Sequence, residues 1–309
     1  MPGLGKFEMR KVFTLIFVCC AIGSSHAESE WNLIWHDEFD GRVLNSGKWR
    51  QEVGFLRNRE VQYYTSGRKE NLRVENGKLV VEARLEGFVN PAYDPQAAPA
   101  NWQRARAVAG VTSASVTTKG LFSVRGGRIE FRAKVPKGRG VWPALWLLGD
   151  CKDRTGWPRC GELDVMEYVG HAPDVVHGTI HWQSPKSNAA NGYDFRTARL
   201  RGKSPADGFH VYSAEWDEHS ISFFYDGEMY SNVEFGSLPF SEGNPFVEPM
   251  YIIMNLAIGG SWGGEKGIDP TVFPARFEID WVRVYAKKKI AERKDGKWCA
   301  KTSLAELVE

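Results

Sequence analysis

The sequence predicts an all-β protein, a β-sandwich whose natural form is a jelly roll. Three observations carry this. Many short segments alternate apolar and polar residues, the period of a strand with one buried face. Turn pairs such as Asn76-Gly77, Asp207-Gly208 and Asp226-Gly227 separate them. Before residue 287 no helical period is sustained, whereas a parallel β/α architecture would alternate strands with helices.

Taken from the amino end, Lys6, Arg10 and Lys11 precede the apolar run 12–22, and Ser25-His26-Ala27 resembles a small-x-small cleavage site. This reads as a signal peptide over 1–27, so the mature chain is expected to be secreted or periplasmic. The run is short for a bilayer span and no later stretch approaches the roughly 20 apolar residues one requires, so no membrane association is expected after cleavage. Cleavage would remove three bases and one acid and bring the formal charge from +2 to zero, which points away from nucleic acid. Cys19 and Cys20 fall inside the leader, Cys151 and Cys160 could pair in an exported protein, and Cys299 is left over. Neither their number nor their spacing resembles a zinc cluster.

The clearest strand is 127–135, where Ile129, Phe131, Ala133 and Val135 alternate with Arg128, Glu130, Arg132 and Lys134. Similar runs are expected at 79–84, 113–118, 176–182, 209–216, 220–225, 250–258 and 277–285. Between them the Pro- and Ala-rich stretch 88–108 reads as a long surface loop that could border a cleft. The main domain therefore spans 28–286, followed by a basic tail, 287–309, with room for a short helix at 302–309. The chain is expected to act as a monomer.

The segment 161–168, Gly-Glu-Leu-Asp-Val-Met-Glu-Tyr, places three carboxylates within six residues of an apolar strand. In a regular strand Glu162, Asp164 and Met166 would face one way and Glu167 the other. A β-bulge near Val165 and Met166 would turn Met166 away and bring Glu167 onto the face of Glu162. Two carboxyl groups about 5 to 5.5 Å apart are what retaining glycoside hydrolysis requires, one attacking the anomeric carbon while the other protonates the leaving oxygen. A third carboxylate between them, Asp164, can help hold their pKa values apart. On a solvated strand face the same pattern would be inert.

Saccharide sites pair aromatic platforms with polar rims. Trp142 and Trp146, four residues apart on the approach to the carboxylates, would share one face of a strand, although a Trp more often fills a core. His181 is equally a satisfied core histidine or a donor beside the sugar.

With these residues in view the chain resembles glycoside hydrolase family 16, and most its laminarinase branch of endo-β-1,3-glucanases. The resemblance is carried by 35–40 (Trp-His-Asp-Glu-Phe-Asp), 61–65 (Val-Gln-Tyr-Tyr-Thr), 127–130, 142–146, 161–170, 178–182, 255–260 and 280–285, and covers about residues 31–286. It implies a jelly roll with a substrate cleft across its concave sheet. It further implies Glu162 as nucleophile, Glu167 as general acid/base and Asp164 as the group that orients Glu162. Trp142, Trp146 and His181 match positions lining subsites, with Asn58 and Trp262 as further contacts. No cofactor is implied for catalysis. A structural calcium is, with Glu38, the Gly77 carbonyl and Asp280 as matching positions and water completing its shell.

The expected activity is hydrolysis of internal β-1,3 linkages of a β-glucan through a covalent glycosyl-enzyme. A non-catalytic glucan-recognition protein is the alternative from another class, opposed by the presence of all three acids. Transglycosylation, or the same mechanism on mixed-linkage glucan, agar or carrageenan, are further alternatives. The extra residue between Asp164 and Glu167 argues against the mixed-linkage branch.

Overall fold

The computed structural model describes residues 30–185, 190–196, 204–241 and 243–288, together with two short paired strands, Arg293–Lys294 and Lys297–Trp298. The expected leader at 1–27 and the helix at 302–309 lie outside the described residues. In chain order the strands are β1 (Trp31–Asp37), β2 (Arg50–Gln51), β3 (Gln62–Tyr64), β4 (Leu72–Val74), β5 (Leu79–Val89) and β6 (Val108–Ser113). Then follow β7 (Ser115–Thr117), β8 (Gly127–Lys134), β9 (Val141–Gly149), β10 (Glu162–Glu167), β11 (His177–Gln183) and β12 (Ala190–Arg196). The last five are β13 (His210–Trp216), β14 (Ser220–Tyr225), β15 (Glu228–Glu234), β16 (Met250–Ile258) and β17 (Ala275–Lys287).

Seven of these form one sheet in the order β12-β11-β10-β9-β16-β7-β2, and ten form the other around β15-β14-β13-β8-β17-β5-β6-β3, with β1 on β17 and β4 on β5. This is the expected all-β jelly-roll sandwich. The alternation on β8 buries Ile129, Phe131 and Ala133, which meet Leu145, Leu147 and Leu163 in one continuous core. On the opposite face Arg128 and Arg132 pair with Glu130, Glu215 and Asp280. The two Asn-Gly and Asp-Gly hairpins form as expected. Asn76 and Gly77 take φ of 54° and 69°, and Asp226 and Gly227 take 49° and 80°, the left-handed pair that a tight hairpin uses to match strand twist.

Two details depart from the sequence reading. Strand β5 runs on to Val89, and the following stretch is not a bare loop: Trp102–Ala105 makes a helical turn, and Trp102 and Phe88 pack against Phe55 and Tyr63. Apolar side chains in the Pro/Ala-rich segment therefore anchor it to the body. The tail carries a short strand pair where none was expected. Cys151 and Cys160, whose pairing the sequence leaves open, are free thiols, with Cys160 fully buried.

Strands β9 and β16 are buried along their whole length, one face in the core and the other at the bottom of a cleft. Val141, Leu145 and Leu147 of β9 enter the core between the sheets, while Trp142, Ala144, Trp146 and Leu148 form the floor of a cleft. Likewise Met250, Ile252 and Met254 of β16 point inward, and Tyr251, Ile253 and Asn255 line the cleft.

Candidate active site

The bulge is where the carboxylate spacing requires it. Against β9, Asp164 pairs with Trp146 and Met166 with Leu145, so Val165 is the extra residue; against β11 the register slips between Asp164 and Glu167. Leu163, Val165 and Met166 all enter the core, at 0%, 1% and 0% exposure. Burying both Val165 and Met166 resets the phase, and Glu162, Asp164 and Glu167 line one cavity of about 470 Å³. That volume suits a few sugar rings.

Each acid has its own partner. The Trp157 indole N–H donates to Glu162 Oε2 at 2.9 Å, and that of Trp142 donates to Glu167 Oε1 at 3.0 Å. His181, opposite Glu162 in the register, brings Nε2 to 3.3 Å from Asp164 Oδ2 and 3.9 Å from Glu162 Oε1. Asp164 is 3% exposed.

Three carboxyl groups in one enclosed place cannot all ionise cheaply. Burial first, then the Asp164 charge, push Glu162 up to about 8, while His181, the Trp157 N–H and Arg57 pull the other way. Burial, then Asp164 and Glu162, hold Glu167 well above the carboxylate range, with the Trp142 N–H and His181 opposing. Burial raises Asp164 as well. Glu162 faces His181, Arg57 and the Trp157 N–H, so of the two glutamates it is the easier to ionise, and Glu167 is the one held protonated to higher pH. That division is the one that double displacement needs.

A second network ties the cleft floor to the opposite wall. The Trp146 N–H donates to Asn255 Oδ1 at 2.8 Å, Asn255 Nδ2 donates to Tyr64 Oη at 3.0 Å, and Tyr64 donates to Glu60 Oε2 at 3.3 Å. Gln62 Nε2 donates to the same Glu60 oxygen at 2.6 Å. Asn58 lines the cavity from a left-handed backbone conformation (φ 50°) whose carbonyl accepts from the Ser261 N–H.

The model of the family described as glycosyl hydrolases family 16 matches residues 59–283. The chain belongs to that family. The beta-glucanase of Rhodothermus marinus is 39% identical over 295 residues, which are 91% of this chain and 96% of the relative. The solved laminarinase of Rhodothermus marinus superposes with a TM-score of 0.70 at 38% identity, covering 82% of this chain and 97% of that one. A structure from work on endo-acting O-glycanases with which human gut microbiota initiate mucin breakdown superposes with a TM-score of 0.76 at 37% identity, covering 85% and 93%. As a family 16 glycoside hydrolase, the chain is an enzyme that needs no cofactor for catalysis.

Against the sequence reading, this family 16 site brings together Glu162, Asp164, Glu167, Trp142, Trp146, His181 and Asn58. Trp262 stands behind the cleft, edge-on to Trp142 at 5.5 Å and to His177 at 4.8 Å, so it braces a wall. Trp146 is on the floor but is not an open platform: it is 6% exposed, and the Arg57 guanidinium lies over its ring at 4.9 Å. The expected calcium set also needs correction. Both oxygens of Glu38 accept from Arg283 at 2.9 Å, and Asp280 is paired with Arg132, so two of the three ligands are already held by guanidinium groups and the set does not fit a cation.

Among the site residues that sequence reading missed, Trp157 and Arg57 bear most directly on Glu162. Trp157 is 48% exposed and reaches Glu162 from the segment before β10; a Trp-Pro pair five residues ahead of the first glutamate was the available signal. Arg57 comes from the β2–β3 connection, more than a hundred positions from the acids, and carried no local signal.

Proposed function

We propose that the chain is a retaining endo-glycosidase that cleaves internal β-1,3-glucosidic linkages of a laminarin-like glucan, with Glu162 as nucleophile and Glu167 as acid/base. The observation that carries this is the bulged strand that sets Glu162, Asp164 and Glu167 in one cavity with different partners. Glu162 attacks the anomeric carbon while protonated Glu167 delivers its proton to the departing glycosidic oxygen. Glu167, now ionised, takes a proton from water, which attacks the glycosyl–Glu162 ester and regenerates both groups. Asp164 holds no direct bond to the reacting atoms in this scheme; through His181 and its own proton it sets when Glu162 ionises. The glucan assignment is supported by the beta-glucanase and laminarinase relatives.

A second reading, cleavage of mucin-type O-glycans by the same carboxylates, is favoured by the 0.76 TM-score of the neighbour from the O-glycanase work. One experiment separates the two: reducing-end release on laminarin, lichenan, agarose, carrageenan and mucin O-glycans, with Glu162→Gln as control. Preference for laminarin, lost in the variant, supports the glucan reading; preference for another glycan replaces the substrate and keeps the mechanism. Silence on all of them, with glucan still bound, would make the chain a recognition protein. Export and a monomeric state are part of the same proposal, checked by the amino terminus of the mature protein and its sedimentation. Among the described residues, no helix is long and apolar enough to cross a membrane.

A further inference from the structure

Of the cations that line the cleft, Arg57, Lys119 and Lys152, Arg57 is the one whose guanidinium lies over the Trp146 floor. Its Nη2 is ion-paired with Glu52, whose Oε2 also accepts from Ser115 Oγ at 2.6 Å. Its guanidinium plane covers Trp146 at 4.9 Å from the ring centroid. Its Nη1 is buried without a hydrogen-bond partner, and the rest of the side chain, 23% exposed, lines the cavity. A cation held partly desolvated in a cleft wall gains from an acceptor that a ligand brings to its open side. The stack and the ion pair fix the guanidinium in advance, so little side-chain freedom is lost when that group arrives.

The same arrangement decides what Trp146 can do. A pyranose needs an exposed ring face to stack on, and Arg57 occupies that face. Recognition at this point of the cleft therefore passes from stacking to donation.

We propose that Arg57 is a substrate-contacting residue, the part of its guanidinium open to the cleft donating to a hydroxyl of the sugar bound on the β9 side of the three carboxylates, where Trp146 would otherwise have served as a platform. This rests on the glycosidase reading and adds to it a specificity element. The positive charge has a second consequence: among the groups facing Glu162, Asp164 opposes its ionisation, while His181 from β11, the Trp157 N–H and Arg57 favour it. Binding and nucleophile ionisation are thus served by one side chain.

The test uses the full chain and the preferred glycan of the panel, laminarin in the first instance. Arg57→Met keeps the apolar stem over Trp146 and removes charge and donors; combining it with Glu52→Gln avoids stranding a carboxylate and guards against a folding defect. The expected result is a KM raised about ten- to hundredfold, the range of a lost charge-assisted hydrogen bond, with the thermal midpoint of the double variant near that of the parent. The acid limb of the kcat/KM profile should move to higher pH. Arg57→Lys should leave the limb in place yet share the higher KM, because an ammonium at the end of a different stem cannot present the same fork. A KM within about twofold of the parent in the folded double variant would overturn the contact, as would activity lost only in proportion to unfolded protein. A parent silent on every glycan would instead remove the glycosidase reading, and this inference with it.

Discussion

Replacing Glu162 by Gln removes a carboxylate that the folded protein holds at about 8 against an ordinary 4.5. A raised carboxyl pKa means that the folded state binds the proton more tightly than the unfolded chain does. The native state is therefore favoured at low pH, and stability is lost as pH rises from 4.5 toward 8, where the unfolded chain ionises freely and the folded one resists. At about 1.4 kcal/mol per pH unit, the gap between 4.5 and about 8 amounts to roughly 5 kcal/mol at pH 9, but under about 1 kcal/mol at pH 5. Relaxation of the coupled Asp164 and Glu167 makes this a ceiling, and an effect on the order of 1–3 kcal/mol is expected at pH 9. Gln keeps an oxygen for the Trp157 N–H and no longer meets the Asp164 charge. Thermal unfolding of parent and Glu162→Gln at pH 5 and pH 9 measures it. The variant should be inactive, and more stable than the parent by several degrees at pH 9, with a much smaller difference at pH 5. A stability difference that does not grow with pH, or a variant less stable at pH 9, would refute the view that burial beside Asp164 makes ionising Glu162 costly.

Glu167→Ala should lose about 10²- to 10⁴-fold activity on polysaccharide yet retain much of it on an activated aryl glycoside, whose leaving group needs little protonation; equal losses on both would remove Glu167 from the acid role. Trp157→Phe deletes the N–H that reaches Glu162 at 2.9 Å from a half-exposed ring, so kcat/KM should fall about tenfold and the acid limb shift upward while the melting temperature stays close to the parent's. The kcat/KM profile of the parent should be bell-shaped, with an acid limb above the ordinary carboxylate range from Glu162 and a basic limb at higher pH from Glu167; a limb near 4 would contradict the enclosed site. Because Arg283 and Arg132 already hold Glu38 and Asp280, EDTA should leave the melting temperature unchanged, and a calcium-dependent rise would return those carboxylates to a metal.

The carboxylate strand shows how much of a site can be legible in one dimension. Its period breaks once, between Asp164 and Glu167, and only an extra residue lets three acids share a face while Leu163, Val165 and Met166 stay buried. Hydrophobic alternation likewise placed β14 and β16 at their observed bounds, 220–225 and 250–258, because a strand with one wet face or two dry ones writes its burial into consecutive residues. The stretch 88–108 was less legible, since Pro and Ala signal a loop while the contacts of Phe88 and Trp102 that hold it down are made to Phe55 and Tyr63.

The sequence by itself determined the all-β class, the hairpin turns, the bulge and the three acids, all of which depend on neighbours a few positions apart. Tertiary structure alone decided which aromatic is a platform and which carboxylate is free. Arg57 reaches Trp146 from 89 positions away and closes its face; Arg283 reaches Glu38 across 245 and takes both its oxygens. A side chain's availability depends on what packs over it, and in a sandwich of antiparallel strands that neighbour comes from a different part of the chain.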